Sequence, residues 1–245
     1  MWLISHRHKN GIKMRIWDIN PGFLNDRSLL GEHCELHGMV AIFNADKKGY
    51  RNHPETQRWE HNQQSLIVRH ELLVEEMTLR NFNHQSPLEN KIFKVVWPDK
   101  YVDSPAEQYH RLSDKYKNKN PGRIPLPSNV QELWSRHKYS VMARSYNTCK
   151  TIGQKVADNK IPFEDLSAKL IQLLRQPANE KALKNTLFHM WGYVSNHSNK
   201  KPEPMSNGRL LKEIRDLSDQ FKVEYLIQST ALGELGFWCR DRALN

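Results

Sequence analysis

The segment between Pro121 and Pro127 constrains the fold of this chain more than any other feature. Three prolines and one glycine fall within its seven residues. Proline lacks the amide proton that a helix requires and clashes with the preceding turn, so no regular helix can run through this segment. We therefore predict a linker that separates two domains, 14–125 and 126–245, with residues 1–13 as an extension before the first.

Apolar residues recur every three to four positions on both sides of this linker, as amphipathic helices require. The pattern covers the ranges 27–43, 65–82, 104–118, 128–158, 162–176, 179–197 and 207–238. Asn25 or Asp26 can cap the first helix, and Ser104 the third. No long β-branched alternation competes with this pattern, although the run 92–97 leaves a short strand open. The sequence thus predicts an all-α fold, with two helical domains joined by a Pro-rich linker.

The charge of the chain favours nucleic acid as a partner. The net charge is +10, and positive charge is in excess on both sides of the linker. This is the electrostatic footprint of a protein that binds a phosphate backbone, with a basic but solvated surface as the alternative. No apolar run is long enough for a membrane span, and three widely spaced cysteines do not form a disulfide framework. We expect a cytoplasmic protein, associated with the nucleoid, that does not bind membranes.

The run "HCELH" raises the possibility of a metal site, because His33 and His37 share one helix face. In the zinc metalloprotease motif a glutamate directly follows the first histidine. Here Cys34 holds that position, and Glu35 lies about 200° around the helix from His33. Since no third ligand is evident from spacing, we predict no metal. Two alternatives remain: histidines that face phosphate, or packed histidines that make a hydrogen bond.

Four stretches before the linker carry a family resemblance, and they occur in the order found in that family. They read "MRIWDINPGFLNDRSLLGEHCELHG", "KKGYRNHPETQRW", "RHELLVEEMTLRNFN" and "RLSDKYKN". From residue 14 to about residue 123, the chain resembles the bacterial branch of the pyrimidine-dimer DNA glycosylase family, which is related to phage endonuclease V. The first stretch is the most specific, because the distance from Met14 to Glu35 resembles the family's spacing between nucleophile and catalytic glutamate.

The resemblance implies a helical DNA-repair enzyme that acts on double-stranded DNA carrying UV lesions. Such an enzyme cleaves the glycosidic bond at a cyclobutane pyrimidine dimer and then nicks the backbone by β-elimination. It uses no metal and no cofactor. Its nucleophile is the free α-amine of the first residue, which forms a Schiff base with the sugar. On this resemblance the catalytic residues are Met14 and Glu35.

An α-amine suits this chemistry because only the neutral amine attacks carbon. Its pKa is about 8, against about 10.4 for a lysine side chain, so roughly a tenth is neutral at pH 7. A nearby carboxylate can stabilise the cationic imine and assist proton transfer. We expect Glu35 to have this role, the alternative being a solvated helix glutamate.

Three basic residues match family positions that lie against DNA. Arg15 follows Met14 directly, and Arg111 and Lys115 are four residues apart in the last of the four stretches. At this spacing Arg111 and Lys115 share one helix face and can bind phosphate together. An exposed, solubilising face is the alternative for this pair.

The chain departs from the family at three positions of the first helix. Cys34 and Gly38 stand where related enzymes have arginine, and Ser28 stands where the phage type has histidine. The set of DNA contacts therefore does not carry over as a whole. We consider His33 and His37 as substitutes that contact DNA.

The extension 1–13 decides whether the chemistry is possible, because an amide nitrogen at Met14 is not a nucleophile. Translation can begin at Met14, the extension can be removed, or the protein can bind damage without cutting it. We predict initiation at Met14, which aminopeptidases would retain because Arg15 is large. The alternative is a non-catalytic DNA-binding or interaction protein.

The second part, from about residue 128 to residue 245, resembles the YbgA-like helical domain, for which no activity is settled. The stretches that carry this resemblance are "LWSRHKYSVMARS", "LKNTLFHMWGYVSNH" and "NGRLLKEI". Six basic or aromatic residues form either a DNA-facing surface or a helical core: Trp134, His137, Lys138, Arg144, His189 and Tyr193. No site is assigned there.

Overall fold

A computed structural model describes residues 14–44, 51–88 and 94–240, so the predicted extension 1–13 lies outside the described residues. Over these ranges the chain forms eleven α-helices and two short 3-10 helices, Pro21–Phe23 and Ser195–His197, without a strand. The α-helices are α1 Asp26–Asn44, α2 Pro54–Trp59, α3 Gln63–Leu79, α4 Pro105–Lys115, α5 Val130–Met142, α6 Tyr146–Ala157, α7 Phe163–Leu174, α8 Glu180–Trp191, α9 Asn207–Gln220, α10 Glu224–Ile227 and α11 Thr230–Cys239. The predicted all-α fold is confirmed. Over the same ranges, none of the helices has the length and apolar character needed to cross a membrane.

The two predicted caps before the linker explain where α1 and α4 begin. The Asn25 side chain accepts a hydrogen bond from the Ser28 amide at 3.0 Å. At α4, Ser104 Oγ accepts from the Glu107 amide at 3.3 Å while the Glu107 carboxylate accepts from the Ser104 amide at 2.8 Å. These bonds satisfy amide groups that have no partner inside the helix. The local sequence alone therefore sets both helix starts.

Two helices predicted after the linker are divided in the structure. The range 128–158 breaks between Met142 and Tyr146, where Ser145 Oγ accepts from the Thr148 amide at 3.2 Å and starts α6. The range 207–238 forms α9, α10 and α11, with Ser229 capping the last. A serine hydroxyl competes with the helical backbone for amide protons, so it can end one helix and begin another without proline or glycine.

Helix α3 lies at the centre of the packing, against α1 on one side and α11 on the other. Helix α4 packs on α7, which joins the two parts of the chain a second time. The Phe23 ring contacts Tyr109 at 5.1 Å between centroids and stacks on His137 at 5.5 Å. The hydrophobic core is therefore continuous across the linker.

The Pro-rich linker is itself packed against the start of the chain. Ile124 is fully buried and its amide donates to the Gly22 carbonyl at 2.9 Å. A Cβ at Gly122 would lie 2.6 Å from the backbone of Phe23, so only glycine fits this approach. The linker is thus held in place, and the domain boundary at residue 125 stays a prediction.

Carboxylates on α3 form ion pairs with arginines from distant parts of the chain. Glu76 accepts from Arg123 at 2.7 Å, and Glu75 accepts from Arg215 of α9 at 3.1 Å and from Arg240 beyond α11. Both glutamates are buried. Removing an arginine would leave a buried charge unpaired. The pairs of Glu75 with Arg215 and Arg240 therefore hold the two parts of the chain in one arrangement.

Candidate functional site

An extended segment after Met14 is bound to α1 by two carboxylates. The amide of Arg15 donates to Glu35 Oε2 at 2.7 Å, and the amide of Trp17 donates to Glu32 Oε1 at 3.1 Å. In an extended chain every second amide points the same way, and in a helix residues three apart share a face. The amides of Arg15 and Trp17 can therefore both meet carboxylates on one face of α1, and Glu35 lies against the peptide that joins Met14 to Arg15.

The two glutamates have different surroundings. Glu32 is buried and receives a bidentate hydrogen bond from Arg69, at 2.7 and 2.9 Å. Glu35 is less buried and faces a cleft. Burial raises the pKa of Glu35 to about 7, and the neighbouring Glu32 adds to this, while the Arg15 amide and Lys115 oppose it. A carboxyl group with such a pKa exchanges protons at neutral pH.

Glu35 lies at the wall of a cleft of about 280 Å³. Side chains of α1, α4 and the segment after Met14 line the cleft: Arg15, Trp17, Arg27, Ser28, Gly31, Glu32, Glu35, Arg111 and Lys115. Arginine and lysine outnumber the acidic residues in this lining, so the cleft attracts anions. Phosphate groups are among the anions that such a basic lining can bind.

Arg15, Arg111 and Lys115 all line this cleft. A single buried carboxylate, Asp103, pairs with Arg15 and with Arg111, the latter at 2.7 Å. The Arg15 guanidinium also lies 4.7 Å from the centre of the Trp17 ring. These contacts orient both arginines before any ligand binds, and their contact with DNA stays a prediction.

Arg27 also lines the cleft, although the sequence analysis did not select it. Arg27, Gly31 and Glu35 follow one another at four-residue intervals on α1 and so lie along one stripe of the helix. Burial lowers the pKa of Lys115, and the nearby Arg27 and Arg15 contribute, while Glu35 opposes the change. The four-residue spacing from Glu35 back to Arg27 is visible in the sequence and could have identified Arg27.

Met14 is half-buried and packs against the hydrophobic core. Its Sδ accepts a hydrogen bond from Thr56 Oγ1 at 3.6 Å. Three backbone bonds separate the nitrogens of Met14 and Arg15, so the Met14 nitrogen lies within about 6.5 Å of Glu35 Oε2. The Met14 nitrogen and the Glu35 carboxylate are therefore close to each other.

His33 and His37 face away from Glu35 and belong to a second cluster. Their Nε2 atoms are 3.3 Å apart, and the rings of His70 and His84 lie beside that of His33 at 5.1 and 5.0 Å. No third ligand was evident from the spacing in the sequence, but the fold places two more histidines beside this pair. Burial and the neighbouring rings lower the pKa of His33 to about 4. His33 itself is buried, which does not favour a phosphate contact.

Two of the six basic or aromatic residues after the linker belong to the core. His137 is buried, with Nδ1 2.7 Å from the Leu133 carbonyl. Arg144 is buried in an ion pair with Glu234 at 2.7 Å. For these two residues the structure favours the core alternative over a DNA-facing surface.

The structure thus places one carboxyl group at the wall of a cleft that basic side chains mostly line. A sequence model of the family described as pyrimidine dimer DNA glycosylase matches residues 14–90. A model of a family described as a protein of unknown function (DUF1722) matches residues 138–206. Curated proteins and solved structures gave no significant match. The two resemblances seen in the sequence are thus confirmed over these ranges, and the first points to a DNA repair glycosylase with DNA as its substrate.

Proposed function

We propose that the chain is a DNA glycosylase with AP-lyase activity that acts on cyclobutane pyrimidine dimers through a Schiff base at the amine of Met14. The hydrogen bond between the Glu35 carboxylate and the Arg15 amide carries the proposal, because it fixes the carboxylate beside residue 14. The family match over residues 14–90 supports the reaction class.

In the proposed reaction the neutral amine of Met14 attacks C1′ of the damaged nucleotide. A C–N bond forms, the glycosidic bond breaks, and the base leaves with the bonding electron pair and takes up a proton. Opening of the sugar ring then gives a protonated imine. Removal of a C2′ proton expels the 3′ phosphate, and water hydrolyses the imine to release the amine.

Glu35 has two roles in this reaction from its position in the cleft. As a carboxylate it stabilises the positive charge of the imine, which develops within about 6.5 Å. It also accepts and returns protons during ring opening and elimination. Its partial burial strengthens the electrostatic effect, because fewer water molecules screen it than at the surface.

The basic residues of the cleft bind the phosphates on either side of the lesion. Arg15 and Arg111 are oriented by Asp103, and Lys115 lies on the same face of α4 as Arg111. The amine reaches C1′ only if the duplex bends and a base leaves the stack. A pyrimidine dimer weakens stacking and pairing, which lowers the cost of this distortion.

The proposal requires a free amine at Met14, so the chain start provides its test. Two proteins, one beginning at Met1 and one at Met14, are incubated with UV-irradiated duplex and borohydride, which reduces an imine to a stable amine link. We expect a covalent adduct and, without borohydride, a strand nick from the protein that begins at Met14 alone. Mass spectrometry of the adduct identifies the modified residue.

Two outcomes would overturn the proposal. Binding of irradiated duplex without any adduct from either protein would favour the non-catalytic DNA-binding alternative. An equal adduct from both proteins, located on a lysine, would exclude Met14 as the nucleophile. Unirradiated duplex of the same sequence serves as the control for lesion dependence.

A further inference from the structure

We propose that His33, His37, His70 and His84 bind one zinc ion, which joins α1, α3 and the segment that follows α3. One ligand atom from each histidine lies within 4.8 Å of the others. The site is distinct from the Glu35 cleft and does not depend on the proposed glycosylase activity.

The spacing of the rings fits tetrahedral coordination. Zinc–imidazole bonds are about 2.0–2.1 Å long, which places two ligand nitrogens of a tetrahedron about 3.4 Å apart. The Nε2 atoms of His33 and His37 are already 3.3 Å apart. The ligand atoms of His70 and His84 lie within 4.8 Å of the other two, so ring rotations would bring all four to one ion. Four imidazoles suit zinc and its neighbours in the first transition row.

Two of the ring nitrogens are available as metal ligands, because neither makes a hydrogen bond within the described part of the chain. Nε2 of His70 and Nε2 of His84 are buried and have no hydrogen-bond partner among the described residues. The His70 side chain is fully buried. A buried polar atom without a partner is destabilising, and coordination to an ion would remove that cost at both positions.

The surroundings of the rings resemble those of known metal ligands. Nδ1 of His70 is 3.0 Å from Glu71 Oε1, and Arg240 pairs with Glu71 in turn. The backbone of Ser86 makes hydrogen bonds with His37 and with His84. Ligating histidines regularly use their second nitrogen in this way, which fixes the tautomer and turns the free lone pair to the metal.

The position of the cluster indicates a structural ion. His33 and Glu35 are two residues apart on α1 and point to opposite sides of the helix. A metal at the cluster would fix the side of α1 that faces α3, so that the other side presents Glu35 to the cleft. Four protein ligands leave no open position, which is typical of structural zinc.

The test measures zinc in the full-length protein after removal of loosely bound metal with a chelator. We expect one tightly bound zinc per chain by mass spectrometry. Cobalt, added to protein stripped of metal, should give the intense visible absorption of a tetrahedral site. Zinc should also raise the unfolding temperature of the stripped protein.

Zinc binding by histidine variants distinguishes this cluster from the other histidines of the chain. His84→Gln and His70→Gln should each weaken zinc binding at least tenfold, as loss of a ligand requires, while the exposed His61→Gln should not. His6→Gln with His8→Gln controls for binding by the extension. Circular dichroism verifies that each variant folds.

Failure of the stripped wild-type protein to bind zinc or cobalt would overturn the proposal, whatever the variants do. Equal zinc binding by folded wild-type and His84→Gln proteins would also overturn it. Weak, octahedral cobalt absorption would show an adventitious site in place of this one.

Discussion

The carboxylate of Glu35 accepts a hydrogen bond of 2.7 Å from the backbone nitrogen of Arg15. This contact uses the main chain, so it depends on where residue 15 lies and not on which side chain it carries. It places the carboxyl group one residue from the nitrogen of Met14. A substitution at Glu35 therefore tests chemistry, whereas a substitution at Arg15 tests DNA binding.

Replacing Glu35 by Gln should lower the rate of strand nicking by about 100-fold or more. The amide keeps the size of the carboxyl group but neither stabilises the imine nor transfers protons. Single-turnover nicking of irradiated duplex by protein beginning at Met14 measures the rate. The exposed Glu203→Gln is the matched control and should nick normally. Lost duplex affinity in Glu35→Gln would instead assign Glu35 a structural role.

Replacing Lys115 by Gln should weaken binding to irradiated and to undamaged duplex alike, because a phosphate contact does not distinguish them. The slope of log affinity against log salt should fall by about 1. Fluorescence anisotropy at several salt concentrations gives this slope. Lys169→Gln, an exposed position on α7, should leave the slope unchanged. An unchanged slope in Lys115→Gln would exclude this residue from the DNA contacts.

Gly31 and Gly38 provide a matched pair within α1. At both positions, no described atom outside the neighbouring residues and the backbone of α1 itself lies within 4 Å of where a Cβ would stand, yet only Gly31 lines the cleft. Alanine at either position should stabilise the protein by about 1 kcal/mol, because glycine is a poor helix former. Calorimetry should show a rise of about 2–4 °C for each.

A large side chain should have different effects on DNA affinity at the two glycine positions. Gly31→Leu would fill part of a cleft of about 280 Å³ and should reduce affinity for irradiated duplex. Gly38→Leu should not. Equal affinity of the two leucine variants would show that DNA does not enter the cleft beside Gly31.

Glu76 should make the stability of the protein sensitive to acid. Arg123 and Arg80 hold its pKa at about 2, below the ordinary value of 4.5, in spite of burial. The folded state therefore binds the proton less readily than the unfolded state. The stabilisation, roughly 3 kcal/mol, is complete above pH 4.5 and is lost as pH falls towards 2.

Urea unfolding between pH 7 and pH 3 measures this effect. Glu76→Gln should be less stable than wild type at pH 7, and the difference should shrink as the pH falls. Glu203→Gln should follow the wild-type curve. A constant difference between Glu76→Gln and wild type over this range would show that the pair does not titrate as described.

Periodicity and capping predicted most helices because those signals are local. Asn25 and Ser104 start α1 and α4 as expected. The breaks at Ser145 and Ser229 were missed, since a serine stands equally well inside an amphipathic helix and at its start. The predicted range 128–158 begins one residue before the true cap, Asn129, because Ser128 and Asn129 can both accept an amide proton.

The residues of the Glu35 cleft could be predicted from the sequence, but those of the histidine cluster could not. Arg111 and Lys115 follow from helix spacing, and Arg27 could have been found in the same way from Glu35. His70 and His84 lie far from His33 along the chain. They meet it only because α3 packs against α1, and such tertiary contacts leave no fixed spacing in one sequence.

The ion pairs of α3 also bear on how the protein is made. Glu75 lies early in the chain, and its partners Arg215 and Arg240 lie in α9 and beyond α11. During synthesis on the ribosome, the carboxylate of Glu75 therefore cannot form these ion pairs until nearly all the described residues have been made. We expect a nascent chain released before α9 to stay protease-sensitive, so an incomplete copy would not present an ordered Glu35 cleft to the genome.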